Sequence, residues 1–514
     1  MRAADWVIIG LYFVGMAGIG IWAFRRVHDT HDFFVAGGKM PWWLAGICHH
    51  MSGYSAAVFV AHAGVAYTYG FTLYVWLALP IAIAVFVGAF VVAPRWARLR
   101  IRLNIGSPTE YLALRFNVPT EQLLVWSGVI LKVFDVGAKW ASIAVILKVF
   151  TGIPLGAGIL ISALFSVFYI VLGGLWAVAL TELAQFFIQL GAGIAMFVVV
   201  LNKLGGFSAV TGIWKLLPPS HSQLFNGPFT LGFGVVYLLI SFLSYNGGTW
   251  SLAQRYIASP TGSEARRAAY LSAGLWLFWP LILFFPMWAA PLLFPHLPDP
   301  TQSYSVMALN LLPSGLVGAV LASLFAHTMA MVTSDINVIA AVVTRDILPT
   351  ASVKFRNLSP KGTLKAARLV TLAFTLATVI IALKADSFGG ILSLLILWFG
   401  ALLGPTAVPM ILGLLVAFRR SNARAAILSW SSGIVAFGVA KYALHGSMTL
   451  VVAAPVVTSL VVFILFGWLI EKNRTPEEVT DLLEALRQDP PAPFQSRRAD
   501  HSARILSNRE RLAE

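Results

Sequence analysis

Long apolar stretches alternate with short polar connections along nearly the whole chain. About thirteen of them reach the ~20 residues that a helix needs to cross a bilayer. They lie near 5–24, 42–69, 72–95, 121–149, 155–173, 175–203, 229–258, 265–294, 313–347, 365–384, 388–418, 424–443 and 448–471. The sequence has no ten-residue segments of alternating polarity, which would mark an outer-membrane barrel. The pattern predicts an all-α polytopic membrane protein.

The composition agrees with this pattern. Of the 514 residues, 58% are hydrophobic and only 11% are charged, whereas a soluble globular protein carries about 25% charged residues. The mean hydropathy is +0.81. The single cysteine, Cys48, excludes an intramolecular disulfide and a cysteine-based metal site.

Basic residues cluster in every second connection between the spans. They are Arg25, Arg26, Arg95, Arg98, Arg100, Arg102, Arg266, Arg267, Arg345, Lys354, Arg356, Lys361, Arg419, Arg420 and Arg424. Because positively charged loops stay in the cytoplasm, this pattern predicts a plasma (inner) membrane protein with its N-terminus outside and its C-terminus cytoplasmic. The net charge of +15 is thus a topology signal and not a nucleic-acid surface. Residues 472–514 are predicted to form a polar cytoplasmic tail.

Two of the spans are interrupted at their centres. The interruptions are at 51–55 (MSGYS) and 244–249 (SYNGGT), five spans apart. Unwound backbone at membrane depth is tolerated where it lines a cavity, and paired interruptions in equivalent spans indicate a transporter built from inverted repeats. Glycine-containing helix packing faces are the alternative interpretation.

Several motifs resemble those of the sodium:solute symporter family. They lie at 32–38 (DFFVAGG), 41–43 (PWW), 107–111 (SPTEY), 115–116 (RF), 173–178 (GGLWAV), 254–256 (QRY) and 311–316 (LLPSGL), and at Thr181, Glu182, Gln185, Asn337, Thr344, Arg345 and Asp346. They occur in the family's order over residues 5–418. The ordered set is far more specific than any one motif.

The resemblance implies a transporter domain over residues 1–471 with a LeuT-like fold. Repeat one covers about 42–203 and repeat two about 229–418, with one extra helix before them and two after. The family's members are secondary active transporters that import small organic solutes by alternating access. The resemblance therefore also implies sodium as the coupling ion, and it implies no enzyme activity.

The family's main sodium site combines carbonyls of the first broken helix with two adjacent hydroxyls on the ninth span. By resemblance the carbonyls belong to Met51 and Tyr54, but the hydroxyl positions hold Ala330 and Met331, which offer no side-chain oxygen. Some members have a second cation site nearer the cytoplasm. Its matching residues in this chain are Glu182, Thr333 and Ser334.

Ionisable residues within spans are functional hypotheses by default because burying them is costly. Glu182 fits a coupling role, and a structural role at a helix end is the alternative. Asp135 has Lys132 at i−3 and Lys139 at i+4, a spacing that predicts an ion-pair cluster on one helix face.

Three histidines keep proton coupling open as an alternative to sodium. His49 and His50 precede the first interruption, and His327 lies one turn before Ala330. Imidazoles accept protons near neutral pH. Hydrogen bonding within the helix bundle is the other interpretation for each of them.

The resemblance places the substrate between the two broken helices. The predicted walls are Val58, Val75, Ala78, Tyr245, Asn246, Trp250, Leu397 and Trp398. Tyr245 matches an aromatic inner gate. Apolar residues replace the side chains that bind hydroxyls in sugar carriers, and each unpaired hydroxyl costs about 1–3 kcal/mol. A monocarboxylate or an amino acid is therefore favoured over a sugar.

Other functions remain as alternatives. A proton-coupled or uncoupled carrier would have the same fold, and a transporter-like membrane sensor would need signalling modules that residues 472–514 do not resemble. No nucleophile or metal-ligand constellation indicates an enzyme, and no segment resembles a channel's selectivity filter. The lipid bilayer and a small organic solute are the expected partners, and nucleic acid is not.

Overall fold

The computed structural model describes residues 1–490 except 26, 28, 57, 389–393, 395–400, 402 and 471–474. In this part of the chain the regular structure is helical, with no strand beyond one isolated bridge between Asn226 and Phe229. The predicted all-α fold is thus confirmed.

The α-helices of the described chain are numbered from the N-terminus. They are α1 Ala3–Phe24, α2 Thr30–Val35, α3 Trp42–Met51, α4 Ala63–Tyr69, α5 Leu79–Val91, α6 Ala93–Leu103, α7 Leu112–Arg115, α8 Val118–Thr151, α9 Leu155–Lys203, α10 Ala209–Leu216, α11 Leu231–Leu243, α12 Trp250–Ile257, α13 Gly262–Leu293, α14 Ser303–Leu311, α15 Leu316–Val342, α16 Leu348–Ala351, α17 Val353–Arg356, α18 Pro360–Leu383, α19 Gly404–Leu412, α20 Ala423–Gly438, α21 Met448–Leu465 and α22 Glu477–Ala485. Wider π-helical turns lie at Val58–His62, Tyr74–Ala78, Ser244–Gly248, Val343–Ile347, Val439–Ala443 and Phe466–Ile470.

Nine helical stretches of the described chain are long and apolar enough to cross a membrane. A tenth is added when α8 and the first part of α9, Leu155–Phe168, are counted as one span bent by 116°. The count of thirteen is not confirmed. Three predicted spans account for the difference between thirteen and ten. The bent pair counts as one span, 42–69 is broken, and 388–418 lies partly outside the described residues.

Both predicted interruptions are present. In the first, the amides of Gly53 and Tyr54 donate to the carbonyls of His50 and Met51 over 3.1 and 3.3 Å, which ends α3 in a tight turn. In the second, Gly247 has φ +126°, a conformation that favours glycine. A Cβ at this position would also lie 2.8 Å from the Trp96 ring, so the break and the close helix contact depend on the same residue.

Helix α15 runs through the centre of the bundle. Nearly all of its residues are buried, including Thr333, Ser334, Asp335 and Asn337. Charged and hydroxyl side chains on α15 therefore face other helices and not lipid.

The basic connections meet at one end of the bundle, which we call the basic face. The Arg100 guanidinium donates to the carbonyls of Ile257 and Ser259 over 2.8 and 2.9 Å. Arg115 Nε donates to the Gly413 carbonyl over 2.9 Å, and Arg345 forms an ion pair with Glu110 at 3.0 Å. The arginines thus link the connections through hydrogen bonds and an ion pair, and they also give this end its positive charge.

The segment after the last long helix is docked on the basic face. Asp489 accepts from Arg98 Nε at 3.0 Å and from the Gly262 amide at 2.9 Å. Leu483 and Leu486, two residues of this segment, are buried. Within the predicted polar tail, residues 475–490 form a helix and a cap that join α6 to the start of α13.

We expect Asp489→Asn to loosen this segment. Partial burial raises the pKa of Asp489, but the Arg98 hydrogen bond and charge and the Gly262 amide outweigh burial, so its pKa is lowered. Docking is therefore retained at neutral pH and is lost as the pH falls through the lowered value. Amide exchange of 475–490 should rise about tenfold in the variant at neutral pH. Asp481→Asn, at an exposed position on α22, is the control, and equal exchange in both variants would contradict the prediction.

Candidate functional site

The two helix breaks face each other across an aromatic layer. The Tyr245 hydroxyl donates to the Gly53 carbonyl over 3.3 Å, and His49 Nε2 lies 2.9 Å from the Tyr245 carbonyl. Tyr54 stacks on Trp276 with ring centroids 4.3 Å apart. These contacts join the first break to the second.

A cavity of about 340 Å³ lies between the broken helices. Its apolar walls include Val58, Ala61, Val65, Trp76, Leu77, Phe229, Phe233, Val236, Ile240, Leu252, Trp276, Met331 and Val452. Its polar walls include Ser52, Ser55, His62, Lys132, Asp135, Lys139, Tyr237, Ser241, Ser244, Tyr245, Thr249 and Thr449. The lining residues divide about equally between apolar and polar types, but most of the surface that they expose to the cavity is apolar, and a charged group lies at one place.

Two of the predicted substrate residues, Val58 and Tyr245, line this cavity. Val75, Ala78, Asn246 and Trp250 do not belong to its lining. Leu397 and Trp398 lie outside the described residues.

Local geometry explains where those four side chains lie. Val75 and Ala78 lie in the π-helical turn Tyr74–Ala78, where Trp76 and Leu77 face the cavity instead. The Asn246 amide donates to the carbonyls of Ala84 and Phe242 over 3.0 and 2.9 Å.

Trp250 packs closely on Gly128, where a Cβ would approach the indole to 2.1 Å. Trp250 therefore joins α12 to α8 behind the cavity wall. Asn246 and Trp250 connect helices in this conformation.

Glu182 is the centre of a buried polar cluster. Its Oε1 accepts from Ser52 Oγ at 3.0 Å, from Ser334 Oγ at 2.6 Å and from Arg255 Nη2 at 2.8 Å. The side chains of Glu182 and Arg255 are both 0% exposed. The first break, α9, α12 and α15 thus meet at one carboxylate oxygen.

The structure brings together two of the five predicted cation ligands, Glu182 and Ser334. The Thr333 hydroxyl donates to the Met329 carbonyl at 2.7 Å and takes no part in the cluster. The Met51 side chain packs with Ala330 and Phe186 in an apolar cluster. Tyr54 contributes its ring to the aromatic layer described above.

Ser52 and Arg255 were missed as members of this cluster. Ser52 lies inside the first interruption and Arg255 inside the QRY motif at 254–256. Both signals are visible in the sequence, but sequence spacing does not indicate that α12 reaches α9.

A second charged cluster lies at the cavity wall. Asp135 Oδ2 accepts from Lys132 at 2.6 Å and from Lys139 at 2.7 Å, which confirms the predicted pairs on α8. Asp335 Oδ2 on α15 lies 3.1 Å from Lys132 and 2.7 Å from Lys139. Ser251 donates to the other oxygen of Asp335 at 2.8 Å. We call these two lysines and two aspartates the charge quartet.

The three histidines differ in their surroundings. His49 Nδ1 lies 2.8 Å from Ser272 Oγ, and His327 Nδ1 lies 2.7 Å from the Ser323 carbonyl. Neither ring nitrogen of His50 has a hydrogen-bond partner among the described residues. Hydrogen bonding within the bundle therefore accounts for both nitrogens of His49 and for one nitrogen of His327, whereas His327 Nε2 and both nitrogens of His50 have no partner in the described part of the chain.

Some hydrogen-bonding atoms of the cavity wall have no partner within the described part of the chain. They are Trp76 Nε1, Trp276 Nε1, Ser241 Oγ and His62 Nδ1. Buried polar groups are normally hydrogen-bonded. These atoms can therefore bind polar groups of a solute.

A profile of the sodium:solute symporter family matches residues 33–433. The sodium/glucose cotransporter of Vibrio parahaemolyticus is 26% identical over 368 residues, which cover 65% of this chain and 66% of that protein. The sodium-coupled monocarboxylate transporter 2 of Mus musculus is 24% identical over 366 residues, which cover 66% of this chain and 57% of that protein. The match thus spans about two thirds of the first relative and less of the second.

A solved structure shares the architecture. A Na⁺-coupled sialic acid symporter in a substrate-bound, outward-open state superimposes with a TM-score of 0.80 at 21% identity. The match covers 92% of this chain and 100% of that one. The fold expected from the motifs is confirmed.

Proposed function

This chain belongs to the sodium:solute symporter family, and we propose that it imports a small organic solute by alternating access with sodium as the coupling ion. The family consists of sodium-coupled transporters and not of enzymes. We place the basic face in the cytoplasm and the N-terminus outside, in accordance with the positive-inside rule.

The cavity between the two helix breaks carries the proposal. Small-molecule sites are typically concave, mostly apolar and about 300–1,000 Å³ in volume. At about 340 Å³ this cavity suits a small solute. Residues of both helix breaks also line it, as they do in transporter sites.

The lining favours a monocarboxylate or an amino acid over a sugar. Most of the surface that the wall exposes to the cavity is apolar, and its charged residues are Lys132, Asp135 and Lys139. A hexose would leave several hydroxyls against apolar side chains, at about 1–3 kcal/mol each. A short apolar solute with one carboxylate matches both the apolar walls and the lysines.

We place the coupling cation at Glu182, Ser52 and Ser334. These side chains supply one carboxylate and two hydroxyls, each hydroxyl within 3.0 Å of the carboxylate. The main-site positions Ala330 and Met331 supply no side-chain oxygen. By resemblance, the carbonyls of Met51 and Tyr54 would add to this set, whereas the Thr333 hydroxyl bonds to the Met329 carbonyl and would join the site only after a local rearrangement.

Arg255 supports a competition mechanism at this site. Its guanidinium bonds to Glu182 Oε1, Ser52 and Ser334, so a sodium ion bound to that oxygen and to both hydroxyls would replace it. Release of Arg255 removes the bonds of α12 to Glu182 on α9 and to Ser334 on α15, while Ser251 still bonds to Asp335. Because α12 continues from the second helix break at the cavity, cation binding is thereby linked to the shape of the substrate site.

Transport into proteoliposomes tests the proposed function. We expect saturable uptake of at least one labelled short carboxylate or amino acid, and we expect an inward sodium gradient to raise its initial rate at least tenfold over a matched potassium gradient. Labelled galactose should not be taken up. Saturable galactose uptake would contradict the substrate class. Stimulation by an imposed proton gradient alone would contradict sodium coupling.

A further inference from the structure

The charge quartet is asymmetric with respect to the cavity. Lys132, Lys139 and Asp135 line the cavity, whereas Asp335 does not. Asp335 is also held by Ser251 on α12, while Asp135 bonds to the two lysines through a single oxygen. Asp335 is therefore the fixed anion of the quartet, and Asp135 is the one that a solute can reach.

The two ammonium groups already form a carboxylate-binding arrangement. Both bond to the same Asp135 oxygen, at 2.6 and 2.7 Å. These are the lengths of strong charge-assisted hydrogen bonds. A solute carboxylate that enters from the cavity would find the same two donors at the same spacing.

We propose that Lys132 and Lys139 are the anion subsite of the cavity and that a solute carboxylate binds them in place of Asp135. The inference rests on the proposed function and names the solute class, a monocarboxylate with a short aliphatic or aromatic tail. The tail lies among apolar residues of the wall such as Trp76, Leu77 and Ile240.

The charge balance of the quartet gives this subsite a link to the coupling ion. Two lysines and two aspartates sum to zero charge, and an added carboxylate brings the sum to −1. An uncompensated charge buried in a membrane protein is costly. Because Ser334 of the proposed cation site directly precedes Asp335 of the quartet in α15, a bound sodium ion would offset this charge, and carboxylate affinity should rise when sodium is present.

If the quartet has only a structural role, the expected effect of Asp135→Asn on carboxylate binding is the opposite of the one expected for an anion subsite. If the four charges only brace α8 against α15, then removing any one of them leaves an unpaired charge and weakens the site. If Asp135 competes with the solute, Asp135→Asn leaves two lysines with one aspartate, and carboxylates should bind more tightly.

Calorimetric titration of the purified full chain in nanodiscs with benzoate and with its uncharged counterpart, benzamide, tests the proposal. We expect wild type to bind benzoate at least tenfold more tightly than benzamide. Asp135→Asn should tighten benzoate binding about tenfold, and Lys139→Met should weaken it by ten- to a hundredfold, the loss of one charged hydrogen bond. Benzamide binding should change less than twofold in both variants.

Two further variants keep the test decisive. Gly191→Ala, where a Cβ would meet no atom within 4 Å, leaves the charges of the cavity wall unchanged and should keep the benzoate-to-benzamide ratio. Asp135→Asn combined with Lys139→Met restores neutrality and should bind benzoate more weakly than Asp135→Asn alone. Equal binding of benzoate and benzamide to wild type, or weaker benzoate binding to Asp135→Asn, would overturn the subsite.

Binding and transport can fail separately. Benzoate binding with the expected pattern but no uptake of any solute would refute the proposed function and leave the anion subsite standing. Sodium-driven uptake of a neutral solute without carboxylate preference would refute the subsite and leave the symporter function standing.

Discussion

Replacing Glu182 by glutamine is expected to abolish sodium stimulation of uptake. The Glu182 carboxylate is the one charged oxygen donor of the proposed cation site, with the Ser52 and Ser334 hydroxyls beside it. Glutamine keeps the shape but lacks the charge that binds the cation. The initial rate under an inward sodium gradient should therefore fall to the rate measured without sodium, in proteoliposomes loaded with equal amounts of protein.

The folding of this variant needs its own control. In Glu182→Gln the buried Arg255 loses its counter-charge, and breaking a buried pair costs about 3–5 kcal/mol. The double variant Glu182→Gln with Arg255→Met removes both charges and should recover the melting temperature of wild type. It should still lack sodium stimulation. Sodium-stimulated uptake by the double variant would refute the placement of the cation.

Two neighbouring hydroxyls on α15 provide a matched comparison. Ser334 donates to Glu182 at 2.6 Å, whereas Thr333 donates to the Met329 carbonyl. Ser334→Ala should raise the sodium concentration at half-maximal uptake about tenfold. Thr333→Val should change it less than twofold. Equal effects of the two substitutions would argue against a site built around Glu182.

Local features of the fold could be predicted from the sequence because they depend on residues close together in the chain. The helix breaks follow from glycines beside serine, tyrosine and asparagine at 51–55 and 244–249. The ion pairs of Asp135 with Lys132 and Lys139 follow from the helical period. The missing hydroxyls at Ala330 and Met331 are likewise visible in the sequence, and an apolar cluster includes Ala330 in the structure.

Contacts between distant helices could not be predicted in the same way. Arg255 and Glu182 are 73 positions apart, and Asp335 reaches Lys139 across 196 positions. The spacing of residues along a single sequence carries no information about such pairs. The π-helical turn Tyr74–Ala78 also changes which residues of its helix face the cavity, and no residue type marks that turn.

Helix α9 is bent at Gly174, and a substitution at this bend is expected to have the largest effect on folding. Gly174 has φ +52° and ψ −141° where the predicted spans 155–173 and 175–203 meet. A Cβ at Gly174 would lie 2.5 Å from the Phe33 carbonyl oxygen, and this main-chain atom cannot rotate away. Gly174 therefore allows both the sharp bend and the close approach of α2.

Gly174→Ala is expected to lose most of its folded protein. The backbone conformation costs a residue with a Cβ about 1–3 kcal/mol, and overpacking adds about 1–3 kcal/mol, against a typical total stability of about 5–15 kcal/mol. The monodisperse yield after detergent extraction should fall at least fivefold. Gly191→Ala is the matched control, because a Cβ there meets no atom within 4 Å and alanine favours the helix by about 0.5–1 kcal/mol. Equal yields of the two variants would show that the contact with Phe33 relaxes without cost.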